Sequence, residues 1–436
     1  MKLFFEDIGV KIPEIYLPNK NIDMKKRSVV ACDQYTSQPE YWQEVEKFCK
    51  GNLSTLNIVF PEIYLEDKDK EEKIQNIQKN MKEYLAKGIL ENIGHCFVYV
   101  DRKTSEVQSR KGLIVTLDLE KYDYNKGSKT LIRATEGTVL DRLPPRIKIR
   151  ENASLESPHI MVLIDDEEYT VINPLEKNLE KLEKLYDFDL MMNGGHIRGY
   201  KINDEEIIEN IINALEKLKE RSNLLFAVGD GNHSLATAKA IWENKKITLS
   251  DKEKIDHPAR FALVELVNVH DEGLEFHPIH RILFNVDYDK LFGSMSNFYK
   301  KIGSTFELHF DESEKDELKE LKKLNDVHFI KFVNNKGTGY IKIKNPKANL
   351  EVGTLQIFLD EFLKNNSESK IDYVHGKKVV DEIGTKDGNI GFYLPVMDKK
   401  DLFRTVIIDG ALPRKTFSMG EAEEKRFYLE CRKIIE

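Results

Sequence analysis

The sequence predicts a mixed α/β protein of the α+β type, and three observations carry that prediction. Apolar, β-rich runs alternate irregularly with segments of helical spacing, which excludes a regular doubly wound sheet. Hydrophobic residues at 40% and charged residues at 33% are the balance of a globular chain able to bury a core. The 436 residues exceed one domain of roughly 100–200 residues, so two domains are expected, over residues 1–250 and 251–436.

The elements follow in chain order. "SVVAC" (28–32) is an apolar run expected as a strand, and it leads into a helix in which Ser37 and Glu40 form a capping box around Pro39. Residues 70–87 place Ile74, Ile77, Met81, Tyr84 and Leu85 at helical spacing, closed by Gly88. "CFVYV" (96–100) and "GLIVTLDL" (112–119) read as paired strands. Residues 157–172 read as two more strands, around Asp165–Glu168. Helical spacing is expected at 175–187 and at 204–221, where Ile207, Ile208, Ile211, Ile212, Leu215 and Leu218 share a face and Asn203 and Glu206 cap the start. Residues 243–260 are polar and expected as loop, and "FALVELVNV" (261–269) as a strand opening the second domain. A helix at 313–325, a hairpin at 327–344 turning on Asn-Lys-Gly, and a helix at 354–364 complete the reading.

Charge and composition exclude several functions. The net charge is -8 and the Lys and Arg residues are dispersed, whereas a nucleic-acid binder carries a basic footprint. No apolar run approaches the roughly 20 residues of a membrane span, and Glu6 and Asp7 interrupt the apolar start that a signal peptide needs; a cytoplasmic location is expected. Cys32, Cys49, Cys96 and Cys431 lie far apart with no Cys-x-x-Cys spacing, which predicts free thiols and no structural zinc. The expected partner is a small molecule, without nucleic acid or membrane; a homo-oligomer is compatible with all of this.

The chemistry concentrates at "LLFAVGDGNHSLATAKA" (224–240), an apolar strand, a glycine-rich turn and a helix. Glycines there free the backbone to approach a ligand, and the helix start offers N–H groups and the positive end of its dipole to an anion. Gly229, Gly231, Asn232 and Ser234 are candidate phosphate contacts, Asp230 a metal ligand or proton acceptor, and His233 a phosphoryl contact or proton donor. Capping would account for one of these polar residues, not for four positions in a row.

"FAVGDGNHSLATAKA" resembles the DGHHR signature of the prokaryotic family known as domain of unknown function 1015, which is similar to the ParB/sulfiredoxin-like superfamily. "VVACDQYTSQPEYW", "EGTVLDRLPPR", "FHPIHRILF" and "ALPRKTF" occur in the order that family shows. The resemblance implies a ParB/sulfiredoxin-like N-terminal domain with a second α+β domain that completes or covers the site. It implies nucleotide phosphates on the turn, Mg²⁺, and ATP, ADP or pyrophosphate as phosphate donor. Relatives that phosphorylate free L-serine imply a phosphotransferase acting on an alcohol. Asp230, Gly231 and His233 match the signature, whereas Asn232 and Ser234 replace its His and Arg. Sulfiredoxin chemistry needs a Cys in the turn, and there is none.

The charge of the missing Arg must then come from Arg142, Arg146, Arg198 or Arg281, or the ligand must need less of it. "RATEGTVLDRLPPRIKIR" (133–150) mixes Glu136, Asp141, Arg142, Arg146 and Lys148, cations to bear phosphate charge and carboxylates to orient a hydroxyl; a solvated loop explains it as well. Asp33, after the first apolar run, is a second candidate for the substrate proton, with a simple turn as its alternative. "HPIHR" (277–281) offers His280 and Arg281 as phosphate contacts, and its His277–His280 pair lacks a third zinc ligand. His196 with Arg198, and Arg414 with Lys415, are weaker candidates. A nucleotide-binding switch that hydrolyses slowly or not at all is the alternative reading.

Overall fold

The computed structural model describes residues 2–310 and 326–435, and the helix expected at 313–325 lies outside them. The chain is mixed α/β and divides into two units, residues 1–275 with 420–436, and residues 276–419. Relative to the expected boundary at 250/251, the first unit also takes in the 261–268 strand and the segment from Gly420 onward.

The first unit is built on an eleven-stranded mixed sheet. Its strands are β1 (Phe97–Lys103), β2 (Arg110–Asp118), β3 (Tyr122–Asp123), β4 (Ile132–Ala134), β5 (Met161–Ile164), β6 (Glu183–Asp189), β7 (His196–Ile202), β8 (Phe226–Asp230) and β9 (Phe261–Asn268). They run in the order β6-β7-β1-β2-β9-β5-β8-β4-β3, with two short N-terminal strands attached to β2. Strand β9 belongs here because it pairs antiparallel with β2 over Phe261–Val267 and parallel with β5 over Glu265–Asn268.

Alternation along the strands loads both faces. Helices α1 (Pro39–Cys49), α2 (Lys70–Ala86) and α3 (Leu143–Arg150) precede α4 (Glu205–Arg221) and α5 (Asn232–Lys245) in the chain, and Phe97, Tyr99, Leu113, Val115 and Leu117 join one core with α4 and α5. Val98, Val100 and Ile114 join the opposite core with Trp42 and Val45 of the 39–49 helix and with Phe427 and Leu429. Each such fully buried apolar side chain stabilises the fold by about 1.5–3 kcal/mol. Helix α4 follows the expected isoleucine face, but Asp204 is its cap and accepts from the Ile207 N–H at 3.0 Å.

Several expected elements differ. Residues 175–187 are a 3-10 turn (Asn173–Lys181) followed by β6, because 183–189 pairs with β7 across a turn in which Met192, Asn193 and Gly195 take positive φ. Val30 makes one bridge to Phe427 rather than a strand. The 39–49 helix starts on Gln38 with no side-chain cap. Of 157–172 only β5 is a strand, since Asp166 closes the next turn by accepting from Val171 N–H at 2.8 Å. Residues 243–260 carry the end of α5 and a helix over Asp251–Asp256, for which Ser250 and Glu253 supply a capping box.

The second unit holds an antiparallel sheet, six-stranded among the described residues, with His280–Phe284 between Ile390–Tyr393 and Lys370–Val374. The expected hairpin is present as Val327–Asn334 paired with Gly337–Lys344, and the expected helix spans Glu351–Lys364. No helix among the described residues is long and apolar enough to cross a membrane.

Candidate functional site

Strand β8 carries three buried residues, Phe226, Ala227 and Val228, and then turns half-open at Gly229 and Asp230. Gly231 takes φ +78° and is the N-cap of α5, with no side chain to cap the helix. A Cβ at Gly231 would also sit 3.0 Å from the Ile160 Cα, so conformation and space both require glycine. The first turn of a fourteen-residue helix therefore opens from a bare glycine, with no capping side chain to compete with an anion for its N–H groups.

The side chains around this turn come from five segments of the first unit. Asp230 Oδ1 accepts from the Gly231 N–H at 2.9 Å, and Oδ2 lies 3.1 Å from Lys425 Nζ. Burial pushes the Asp230 carboxyl up, but Lys425, His159 and the Gly231 N–H outweigh it and hold the acid below its usual value. Lys425 is positioned by the sheet: buried Arg102 on β1 donates to the carbonyls of Glu423, Glu424 and Lys425. Ser234 Oγ lies 2.8 Å from His159 Nε2, whose Nδ1 is 2.9 Å from the Tyr428 hydroxyl. Asn232 donates to the Val228 carbonyl at 3.4 Å, and its buried Oδ1 has no partner among the described residues.

On the other side of the turn, the helix Leu143–Arg150 packs against α5. Arg146 Nη2 lies 2.5 Å from Glu62 Oε2, and Arg146 Nη1 donates to the Arg142 carbonyl at 2.7 Å. Burial raises the Glu62 carboxyl above its usual value against the pull of Arg146, and nearby Asp33 raises it further. His233 Nε2 accepts from the Val139 N–H at 3.4 Å. Burial, then Arg146 and Arg142, push its imidazole below the ordinary value while Asp33 opposes them. Glu136 follows two residues after β4, which runs parallel to β8 with Ala134 level with Val228.

The sign of the His233 shift sets a pH expectation. The fold favours the neutral ring, so the contribution of this residue is complete above the unfolded value near 6.5 and is lost as pH falls below it. By histidine NMR, His233 should titrate below 6.5 in the free protein and shift upward when inorganic phosphate is added. A midpoint unmoved by phosphate would mean that no anion sits beside the ring.

The structure thus brings together Asp33, Arg142, Arg146, Gly229, Asp230, Gly231, Asn232, His233 and Ser234. Arg198, His280 and Arg281, expected as phosphate contacts, each have partners of their own. Arg198 is paired with Asp101 on β7 and β1, which the sheet order separates from β8 by β2, β9 and β5. His280 is buried in the second unit, where Nδ1 accepts from the Leu394 N–H at 3.0 Å and burial lowers its pKa to about 4. Arg281 is buried in the same sheet, donating to Gln356 Oε1 at 3.2 Å and to the Arg414 carbonyl at 2.9 Å. His196 lies 2.7 Å from both Asp187 and Asp189, and Arg414 is engaged by Tyr373 and Asp360. Glu62, His159, Lys425 and Tyr428 escaped the sequence reading; Pro158-His159 directly before an apolar run was the one local signal.

No group of three or more His, Cys, Asp or Glu among the described residues is arranged to hold a metal. Mg²⁺ asks less, since one or two carboxylates and the substrate phosphates hold it. Ionised Asp230 fits that limited role, provided Lys425 moves to a phosphate oxygen.

The model of the family described as "Protein of unknown function (DUF1015)" matches residues 16–362. No curated protein matches the chain. Among solved structures, a conserved hypothetical protein from Pyrococcus furiosus is similar at 14% identity and a TM-score of 0.36, over 74% of this chain and 95% of that one. A free serine kinase in complex with AMP is similar at 12% identity and a TM-score of 0.39, over 74% and 92%. SbnI with a C-terminal truncation, from Staphylococcus aureus, is similar at 10% identity and a TM-score of 0.34, over 70% and 82%.

Proposed function

The chain belongs to the DUF1015 family, and from that membership and the geometry of the turn we propose a phosphotransferase that moves a phosphoryl group from a nucleotide or pyrophosphate to the hydroxyl of a small molecule. The observation that carries the reading is the start of α5: a helix opening on bare Gly231, with Lys425, His159, Arg142 and Arg146 gathered around its first turn. All four come from outside the turn's own segment, as a replacement for the signature Arg would have to. Free L-serine is the acceptor that the family resemblance implies, with O-phosphoserine as product, and a cytoplasmic enzyme is the corresponding setting.

In this reading the first-turn N–H groups and Ser234 hold the phosphates, with Arg142 and Arg146 bearing the charge on the non-bridging oxygens. Neutral His233 donates a hydrogen bond to a phosphoryl oxygen, its Nε2 being occupied by the Val139 N–H. Asp33 or Glu136 takes the proton of the attacking hydroxyl. Asp230 would hold Mg²⁺, which when bound neutralises phosphate charge.

The test is phosphorus NMR of the protein with Mg²⁺, a panel of ATP, ADP, CTP and pyrophosphate, and free amino acids. Phosphoserine formed at the expense of one donor is the expected result. Donor hydrolysis indifferent to the amino acid, or a thermal shift with phosphates and no chemistry, would replace the transferase with a nucleotide-binding switch.

A further inference from the structure

The serine that stands where the family signature has arginine is the end of a hydrogen-bonded relay, and we infer that Ser234 is a nucleophile that carries the phosphoryl group covalently between donor and acceptor. The inference rests on the reading of the 229–234 turn as a phosphate site.

The relay has the order nucleophile, base, orienting groups. Ser234 Oγ lies 2.8 Å from His159 Nε2, and His159 Nδ1 lies 2.9 Å from the Tyr428 oxygen. That oxygen accepts from the Cys32 backbone N–H at 3.2 Å. Its second lone pair takes the Nδ1–H of His159 in the tautomer that the inference requires. With its proton on Nδ1, His159 presents Nε2 as an acceptor to the Ser234 O–H, the arrangement that activates a serine. The imidazole is fixed edge-on to the Tyr428 ring, with centroids 5.4 Å apart at 82°.

Two further observations separate this from ordinary packing. Thr237, one turn along α5, spends its hydroxyl on the His233 carbonyl at 2.7 Å, the common bond of a hydroxyl inside a helix, whereas Ser234 reaches the imidazole. Asp230 and Glu62 both lie near enough to interact with His159, so an imidazolium formed there meets two carboxylates.

The step balances as two displacements. Ser234 Oγ attacks the terminal phosphorus of the donor, the Oγ–P bond forms, and the bond from phosphorus to the bridging oxygen breaks with its electron pair leaving on the departing phosphate. The serine proton passes to His159 Nε2. The acceptor oxygen then attacks the same phosphorus and gives its proton to Asp33, while Oγ leaves and recovers its own proton from His159. The sum is one phosphoryl group moved and one proton released to water.

The experiment is acid quenching of the protein with ATP labelled in the terminal phosphate, without acceptor, followed by intact mass and peptide mapping; labelled pyrophosphate is run in parallel. One phosphoryl group per chain on Ser234, removed by a chase of free L-serine, is expected. The label should be absent in Ser234→Ala and should form about a hundredfold more slowly in His159→Asn. No label on the protein, while phosphoserine still forms once free L-serine is supplied, overturns the covalent step and leaves the transferase reading standing. Absence of both donor consumption and phosphate binding overturns both. Should Ser234→Ala fail to fold, the mapped position of the label in the unaltered protein decides alone.

Discussion

Turnover in Asp230→Asn should fall by two to three orders of magnitude, about what removal of one preorganised electrostatic partner costs a transition state, while the protein stays folded. Asparagine keeps the shape and the carbonyl oxygen that accepts from the Gly231 N–H at 2.9 Å, so the turn retains its path. What it removes is the negative charge 3.1 Å from Lys425, and its amide presents N–H groups to an ammonium that already has three. Lys425 is then released, and the carboxylate proposed for Mg²⁺ is gone. The Asp230 pKa is lowered in the fold, so its pairing stabilises the protein above the unfolded value of about 3.9 and is lost as pH falls below it. The stability difference between the two proteins should therefore be present at pH 7 and shrink toward pH 3. Steady-state rates with thermal melts at both pH values check this; full activity in the variant would remove Asp230 from the mechanism.

The largest effect on stability is expected one residue further on. Arg426→Ala should cost the first unit about 3–5 kcal/mol, because it strands two buried carboxylates. Arg426 Nη1 lies 2.6 Å from Glu265 on β9, and Nη2 bonds Glu430, which also accepts from the Tyr186 hydroxyl on β6. All three charged residues are essentially closed to water. Burial opposes the charge on Arg426, but Glu430 and Glu265 outweigh it and raise its pKa. Urea unfolding measures the loss, and a change below about 1 kcal/mol would mean that solvent reaches the network. The Ser234 relay should loosen in the same variant, since Lys425 and Tyr428 flank the substituted position.

The sequence disclosed those parts of the site that one segment can carry. Gly231 was legible because only glycine takes that φ against Ile160, and the apolar run before it could only be a buried strand. Helix α4 was legible from its isoleucine spacing. The cations were legible only where they sat in a mixed loop, as Arg142 and Arg146 do. His159, Lys425 and Tyr428 were not, because they reach the turn through sheet pairing and through Arg102, over separations of 75 to 323 residues that no local pattern encodes. Residues 183–189 misled for a related reason: their apolar positions suit a helix, and only the return of β7 through Gly195 makes them a strand. Arg198 and Arg281 were attractive as free charges, yet a buried or half-buried guanidinium is as readily consumed by a neighbouring carboxylate or carbonyl.

The first unit is interrupted in the chain by the whole of 276–419 and resumes at Gly420. Its glycine turn is synthesised early, but the lysine that pairs with Asp230 and the tyrosine bonded to His159 leave the ribosome only after the second unit has been made. Translation therefore imposes a delay: a nascent chain holding the glycine turn, Ser234 and the arginines lacks Lys425 and Tyr428. On the proposed function, chains cut short anywhere within the second unit would not transfer a phosphoryl group, so premature termination would yield a silent protein and not an unregulated one.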